Sequence, residues 1–434
     1  MINYYIALEV ATFEWDSQVE HEQPCLMLLL IFVAVLFSIL SYSFFFPEPE
    51  PILNLYRKKG KWYYLKYVFA RCFLYICKNH PFHQMKSSNL ADPKKFAEAY
   101  DCTQPLADSP WGFDAVFFMA ANSDGFYFVI GVERRNNSVS NCLFYVVVPG
   151  LGLLENIEMP NTTLYPAEEG TYNVKGFRIS VVEPMKKWMI AYDGDMRTED
   201  GKRRNVHFKG MFSSDQPYFS FDTDLHSHVL AHGIALELWS KQYFETLKEH
   251  QQNHYEQIGM LEASLIIDGT NISVPSTPTY RDHSFGKQRN WNLMHRYSMF
   301  MLFLENGHFV EVGVVCQPGS FSELFVGYVS DCKGIIDPLE WTDLKIYQHG
   351  ELGKPPIDIA FQFKAGDNLY TVQAETVHRG QHLKGFNRQI KMFESFVRCR
   401  VNGVPGVGIS EFSYSNVKVR ETEISSLLED IKAQ

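Results

Sequence analysis

The run CLMLLLIFVAVLFSILSYSFFF at residues 25–46 constrains this chain most. Its 22 residues contain no charge, histidine, asparagine or glutamine. At a helical rise of ~1.5 Å per residue they would extend about 33 Å, enough for the ~30 Å hydrocarbon core of a bilayer. The run therefore predicts a single transmembrane helix. A cleaved signal peptide fits less well, because residues 1–24 carry Glu9, Glu14, Asp16, Glu20 and Glu22 and no lysine or arginine. On the other flank stand Arg57, Lys58, Lys59, Lys61, Lys66, Arg71 and Lys78, with no acid between 57 and 78. The positive-inside rule then predicts an outside N-terminus and a cytosolic body, with the endoplasmic reticulum the favoured organelle. Trp62, Tyr63, Tyr64, Tyr67, Phe69, Phe73 and Tyr75 lie among these cations. Rings with snorkelling lysines suit an interfacial helix on the bilayer, and an ordinary helix packed on the body is the alternative. Sequons at Asn136, Asn161 and Asn271 would be modified only if the body faced a lumen.

Beyond this segment the composition excludes several classes. Forty basic against fifty acidic residues give a net charge of -10, a poor match to nucleic acid. The 15% aromatic content belongs to a folded chain. The eight cysteines form no CxxC pair, so free thiols are expected. Neither GxGxxG nor GxxxxGK[ST] occurs, which leaves no Rossmann or P-loop reading and no cofactor.

From about residue 110 the pattern is that of β-structure. The segments 126–132, 143–148, 298–304, 308–315 and 358–364 read as strands, the last alternating Ile359, Phe361 and Phe363 with Asp358, Gln362 and Lys364. Asp-Gly or Asn-Gly pairs at 124–125, 193–194, 200–201, 268–269, 306–307 and 402–403 predict tight turns. The clearest hairpin surrounds Glu305-Asn306-Gly307. The fold class expected is mostly β, antiparallel barrels or sandwiches. One helix is predicted over 224–249, with Asp222 or Asp224 as its cap, and a short one near 424–431.

The densest polar and aromatic cluster is RDHSFGKQRNWNLMHRY at 281–297. Asp282 and His283 are candidate general acid and base, with Arg281, Phe285, Arg289, Trp291 and His295 as candidate ligand-binding residues. In a regular strand Arg281 and His283 face one way and Asp282 the other. A polar network pinning a strand crossover is therefore the competing reading. His254 and Glu256 share a face of a predicted strand and join the candidate set. His228 and His232 have i, i+4 spacing, but without HExxH no metal site is assigned.

Arg281-Asp282-His283-Ser284-Phe285-Gly286, with Arg289 and Trp291, resembles the RDHSWG-type signature of paired lipocalin-like proteins. That group includes carotenoid 1,2-hydratase and tocopherol-cyclase-like proteins. Pro149-Gly150-Leu151-Gly152, Glu183-Pro184-Met185 with Trp188, His254 to Gln257, and Gly403 to Gly408 before Glu411 are most similar to the corresponding region of animal phosphoenolpyruvate-synthase-like proteins. Phe285 departs from the usual tryptophan. The resemblance implies two lipocalin-like β-domains, over 106–290 and 291–420, behind a transmembrane helix at 25–46 and a linker at 47–105. It implies no phosphoenolpyruvate synthesis, because the chain has no ATP-binding glycine loop. In the hydratase and cyclase relatives, acids and histidines protonate an alkene, and only Asp282 and His283 fall on the matching motif.

Three functions fit this reading. The first is a membrane-anchored module binding an apolar small molecule or lipid beside the bilayer. The second is a cofactor-independent isomerase, hydratase or cyclase acting on an isoprenoid-like substrate, with Asp282 as proton donor and His283 or His254 as its partner. The third is a membrane-anchored protein-interaction scaffold. No nucleic-acid partner is expected, and the sequence leaves the oligomeric state open.

Overall fold

The computed structural model describes residues 22–45, 47–79, 93–385 and 387–416. Most of the acidic N-terminal segment and the helix expected near 424–431 lie outside these residues. Helices α1 (Glu22–Phe45), α2 (Tyr63–Asn79) and α3 (Pro93–Tyr100) precede the β-structure. Two more, α4 (Ser227–Leu236) and α5 (Lys241–Glu249), interrupt it.

The first sheet uses β1 (Phe113–Ala121), β2 (Tyr127–Arg135), β3 (Val139–Val148), β4 (Gly152–Asn156), β5 (Thr163–Leu164) and β6 (Phe177–Glu183). It continues with β7 (Lys187–Thr198), β8 (Arg203–Ser213), β9 (Tyr218–Ser220), β10 (Gln252–Ile267), β11 (Thr270–Ile272) and β12 (Thr277–Gly286). The second uses β13 (Arg296–Leu304), β14 (Phe309–Gln317), β15 (Phe321–Ser330) and β16 (Ile336–Thr342). Its remaining strands are β17 (Asp358–Ala365), β18 (Asn368–Lys384), β19 (Ile390–Val401) and β20 (Val404–Ser415).

Strands β13 to β20 pair in sequence order, and β20 returns to β13, closing an eight-stranded antiparallel barrel. In the twelve-stranded first sheet the main path is β11-β10-β12-β1-β2-β3-β4-β7-β6, and β8 bonds both β7 and β10. The chain is thus mostly β, a closed barrel and a second large sheet, as expected at that level. Each sheet has an apolar interior of its own. Phe118, Phe128, Phe144 and Trp188 fill the first, and Phe300, Val312, Phe363 and Phe412 fill the barrel.

A third apolar layer joins the two. Met119, Val129 and Tyr145 project from the outer face of the first sheet and pack on Met301, Phe309, Tyr328 and Ile409 of the barrel. Strand periodicity produces this arrangement. Odd and even positions of one strand serve different layers, so β1, β12, β13 and β14 are buried on both faces.

Three expectations need correction. Among the described residues no helix is long and apolar enough to cross a membrane. The single-pass topology, with its outside N-terminus and cytosolic body, does not hold.

The helix over 224–249 is two helices. Ser240 is extended and caps α5, accepting from the Tyr243 amide at 3.0 Å, and α4 is capped by His226 rather than Asp222 or Asp224. A serine that satisfies a free helical N–H favours a new start over continuation.

Asp193-Gly194 makes no turn but lies inside β7. A Cβ at Gly194 would sit 2.9 Å from the Tyr192 hydroxyl, so glycine serves close packing there. The Asn306-Gly307 hairpin forms between β13 and β14, with Gly307 at φ 82°.

Candidate active site

Alternation along β12 divides the 281–286 motif between two compartments. Arg281 and His283 point into the first sheet and are fully buried. Arg281 Nη1 donates to Asp101 Oδ1 at 2.6 Å and Nη2 to Gln257 Oε1 at 2.9 Å. Its guanidinium lies 5.2 Å from the rings of both Trp188 and Tyr255. His283 Nε2 lies 2.8 Å from Asp114 Oδ1, and Nδ1 lies 2.8 Å from the Tyr255 hydroxyl. Phe285 packs on His283 and on Tyr100. This compartment is a closed network in which each charged group has a partner.

Asp282 points the other way, into the seam between the sheets. There it meets His254, whose strand pairs with β12 so that Glu256 stands opposite Asp282. His254 Nε2 lies 3.3 Å from Asp282 Oδ1 and 3.4 Å from Glu256 Oε1. The imidazole stacks on Phe221 with ring centres 4.1 Å apart. Asp282 and His254 keep 22% and 17% of their side-chain surface accessible, whereas Glu256 keeps none.

Strand β14 brings Glu311 against Glu256 from the barrel side. The Tyr328 hydroxyl hydrogen-bonds to Glu256, and Glu256 and Glu311 hydrogen-bond to each other. Two facing carboxyls this poor in donors are stabilised by holding a proton between them. Burial, reinforced by Glu311, pushes Glu256 well above the usual carboxylate range. Burial likewise raises Glu311 to about 7. A second pair, Glu394 and Glu411, faces across β19 and β20. Burial and the opposing Glu411 push Glu394 well up, and burial lifts Glu411 to about 7. Tyr297 hydrogen-bonds to Glu411.

Between the pairs sits an ion pair. Burial works against charge on both members. The His254 imidazolium nevertheless holds Asp282 below its ordinary value, and Asp282 with Glu256 lifts His254 above its own. The seam therefore combines a carboxylate, an imidazolium and carboxyl pairs that retain protons near neutrality.

The other candidates fall elsewhere. Arg289 Nη1 lies 3.2 Å from Glu133 Oε2, and Arg135 and Lys384 bind the same carboxylate. Trp291 Nε1 points at Glu133 Oε1 at 3.5 Å. This group clamps the connection between β12 and β13 to both sheets beside the seam. His295 lies apart, Nε2 2.7 Å from Glu351 Oε1, in a buried network with Arg296 and Tyr56. Burial opposes ionisation of Glu351, but the hydrogen bond from His295 and the Arg296 charge keep its carboxyl low. Among the described residues no group of three or more His, Cys, Asp or Glu side chains could hold a metal ion. His232 instead binds Tyr63 and Glu323, and His228 binds Tyr67.

A groove of about 1390 Å³ opens along the same seam, lined in part by Ala121, Pro278, Phe303, Ile359 and Val407. From Pro278 at its lip, Asp282 is four residues further along β12, roughly 13 Å at strand rise. Tyr280 and Met301 of the apolar layer stand between.

Glu311, Glu394 and Glu411 went unassigned in the sequence reading. Each is a lone acid inside an apolar strand, and that pattern is the signal that could have found them.

A family profile matches residues 29–414. The chain belongs to a family of unknown function, DUF8627. No curated protein matches it. Among solved structures it is similar to kievitone hydratase from Nectria haematococca, at 13% identity and a TM-score of 0.47, covering 73% of this chain and 92% of that one. A Nitrosomonas europaea protein assigned to AttH gives 12% identity and a TM-score of 0.47, covering 75% and 96%. CghA with Sch210972 gives 9% and 0.46, covering 74% and 96%. Likenesses this distant carry no argument about activity. Neither the family nor these structures link the chain to phosphoenolpyruvate-synthase-like proteins.

Proposed function

We propose that the seam around Asp282 is the acid–base site of a cofactor-independent isomerase, hydratase or cyclase acting on an apolar, isoprenoid-like alkene. One observation carries this reading. A partly accessible Asp282–His254 ion pair stands in front of buried carboxyls that hold protons near pH 7. Burying charged and protonated acids side by side destabilises a fold, and separated protonation states of this kind accompany acid–base work.

The roles follow from the protonation states. The neutral Glu256–Glu311 pair or the His254 imidazolium gives a proton to one alkene carbon. The O–H or N–H bond breaks as the π electrons form the new C–H bond. The ionised Asp282 stabilises the cation left on the neighbouring carbon. Asp282 then either takes a proton from an adjacent carbon, which shifts the double bond, or takes one from a water that adds to the cation. Asp282 then passes its proton to His254. The histidine keeps it when the imidazolium was the donor, or gives one on to the acid pair when a glutamic acid was, so every group returns to its starting state. Phe117, Phe221, Tyr280 and Met299 provide apolar walls. Asp282 is accordingly the acceptor, and the donor is the histidine or a glutamic acid.

The test uses the purified chain in D2O with a panel of isoprenoid alkenes, read by mass spectrometry. Turnover should place solvent deuterium in the product, with addition of D2O if hydration occurs. Asp282→Asn should lower product formation by about 10²–10⁴-fold in a chain that still folds, the lost pairing with His254 lowering its unfolding midpoint. Unchanged turnover in that variant, or no deuterated product from any alkene, would count against the proposal.

Binding of a ligand without chemistry is the second reading, and the groove favours it, with Phe303, Leu304, Ile357, Ile359 and Val407 offering apolar surface beside Arg398 and Arg400. Ligand retained on the wild-type chain without conversion would select it.

A further inference from the structure

Helix α2 is amphipathic with its polarity turned outward. Its polar face is held to the body: the Tyr63 hydroxyl lies 2.6 Å from His232 Nδ1, that of Tyr67 2.5 Å from His228 Nδ1, and Lys66 Nζ donates to the Glu237 carbonyl at 2.6 Å. Tyr63 and Ala70 are buried there. At 100° per residue, Tyr64, Leu65, Val68, Phe69, Tyr75 and Ile76 fall within an arc of roughly 140° on the opposite side. They are between 56% and 71% exposed. A water-facing helix would show the reverse pattern, and a contiguous apolar face of this kind marks an interaction surface.

Charge indicates what covers it. Arg71 borders the arc on one side, and exposed Lys58 and Lys59 precede the helix. Arg57 is neutralised by Glu237, but no acid lies between 57 and 78. The patch continues into α1 through the Tyr42–Trp62 ring contact, where Leu30, Phe32, Leu36 and Phe37 are exposed. A second copy would bring the same basic rim against itself. An anionic lipid surface takes apolar rings and leucines below its headgroups while its charge meets the lysines.

We propose that the outer face of α2 docks on an anionic bilayer surface, with the helix lying along the membrane and not across it. This assignment is independent of the chemistry proposed for the seam.

The full chain is tested by flotation with vesicles of phosphatidylcholine alone and with about 30% phosphatidylserine. Wild-type protein should float with the anionic vesicles, and less so as salt rises from about 0.1 to 0.5 M. Leu65→Glu with Phe69→Glu, and separately Lys58→Glu with Lys59→Glu, should each lower the partition coefficient at least about tenfold. Their unfolding midpoints should stay close to the wild-type value, since the four side chains are largely exposed and Phe69 touches the body only edge-on, against Trp239 at 5.7 Å. Hydrogen exchange of residues 63–77 should slow on adding anionic vesicles. Flotation that survives both double substitutions overturns the assignment, whatever else holds the chain to lipid. So does a lipid-free dimer that the Leu65 and Phe69 substitutions break, because a second copy is then the occupant.

Discussion

Arg281→Met is expected to destabilise the protein by about 3–5 kcal/mol, among the largest effects of any single substitution in this fold. The guanidinium is fully buried and is the nearest cation to Asp101, whose carboxylate also accepts from the Met185 amide, Trp188 Nε1 and the Tyr255 hydroxyl. Methionine fills much of the same volume, so the loss reports a stranded charge and not a cavity. Burial raises the Asp101 pKa, but Arg281 and the hydrogen bonds hold it below the ordinary value, so the residue is ionised at pH 7. Asp101→Asn keeps the shape and most acceptor bonds while removing the charge. Added to Arg281→Met it should restore at least about 1 kcal/mol, giving a coupling energy of that size in a double-mutant cycle. Urea unfolding of the four proteins measures it. Strict additivity would show that the pair is not coupled and that Arg281 acts mainly through its stacking on Trp188 and Tyr255.

How much of this was legible beforehand differs residue by residue. The period-2 rule placed Arg281 with His283 and opposed both to Asp282, and the strands and the Asn306 hairpin followed from local pattern. Asp101 and Asp114 could not be read as partners of that motif. They are 180 and 169 residues distant from Arg281 and His283 in the chain, and only sheet closure brings them together. The glutamate pairs have the same difficulty in sharper form. Glu311 is conspicuous inside HFVEVGVV, yet its significance depends on which strand faces β14 across the seam. Side-chain alternation within one strand does not encode that. The break at Ser240 was a local signal that was passed over, because the apolar spacing from Val229 to Leu247 continues on either side of it.

Between pH 5 and pH 8 the protein should lose stability as pH rises, by on the order of 3 kcal/mol for each acid pair. Glu311 and Glu411 titrate near 7 in the folded chain against 4.5 for a free glutamate. The folded state therefore binds these protons more tightly than the unfolded state. The stability they contribute is complete below about 4.5 and disappears as pH climbs through 7. His254, raised above 6.5, acts in the same direction. Asp282, held below 3.8, contributes stability above that value and loses it only in stronger acid, so it leaves this window flat. Urea midpoints at four pH values would trace the slope, and Glu311→Gln should remove about half of it, because an amide can donate to Glu256 without titrating. A wild-type profile that is level or rises from pH 5 to 8 would mean that these carboxyls ionise like exposed ones. The seam would then have no store of protons, and the donor role assigned to Glu256 and Glu311 would fail with it, leaving His254 as the sole acid. The stability curve thus tests the chemistry without requiring the substrate, since the same buried protons whose loss weakens the fold at alkaline pH are those an alkene would receive.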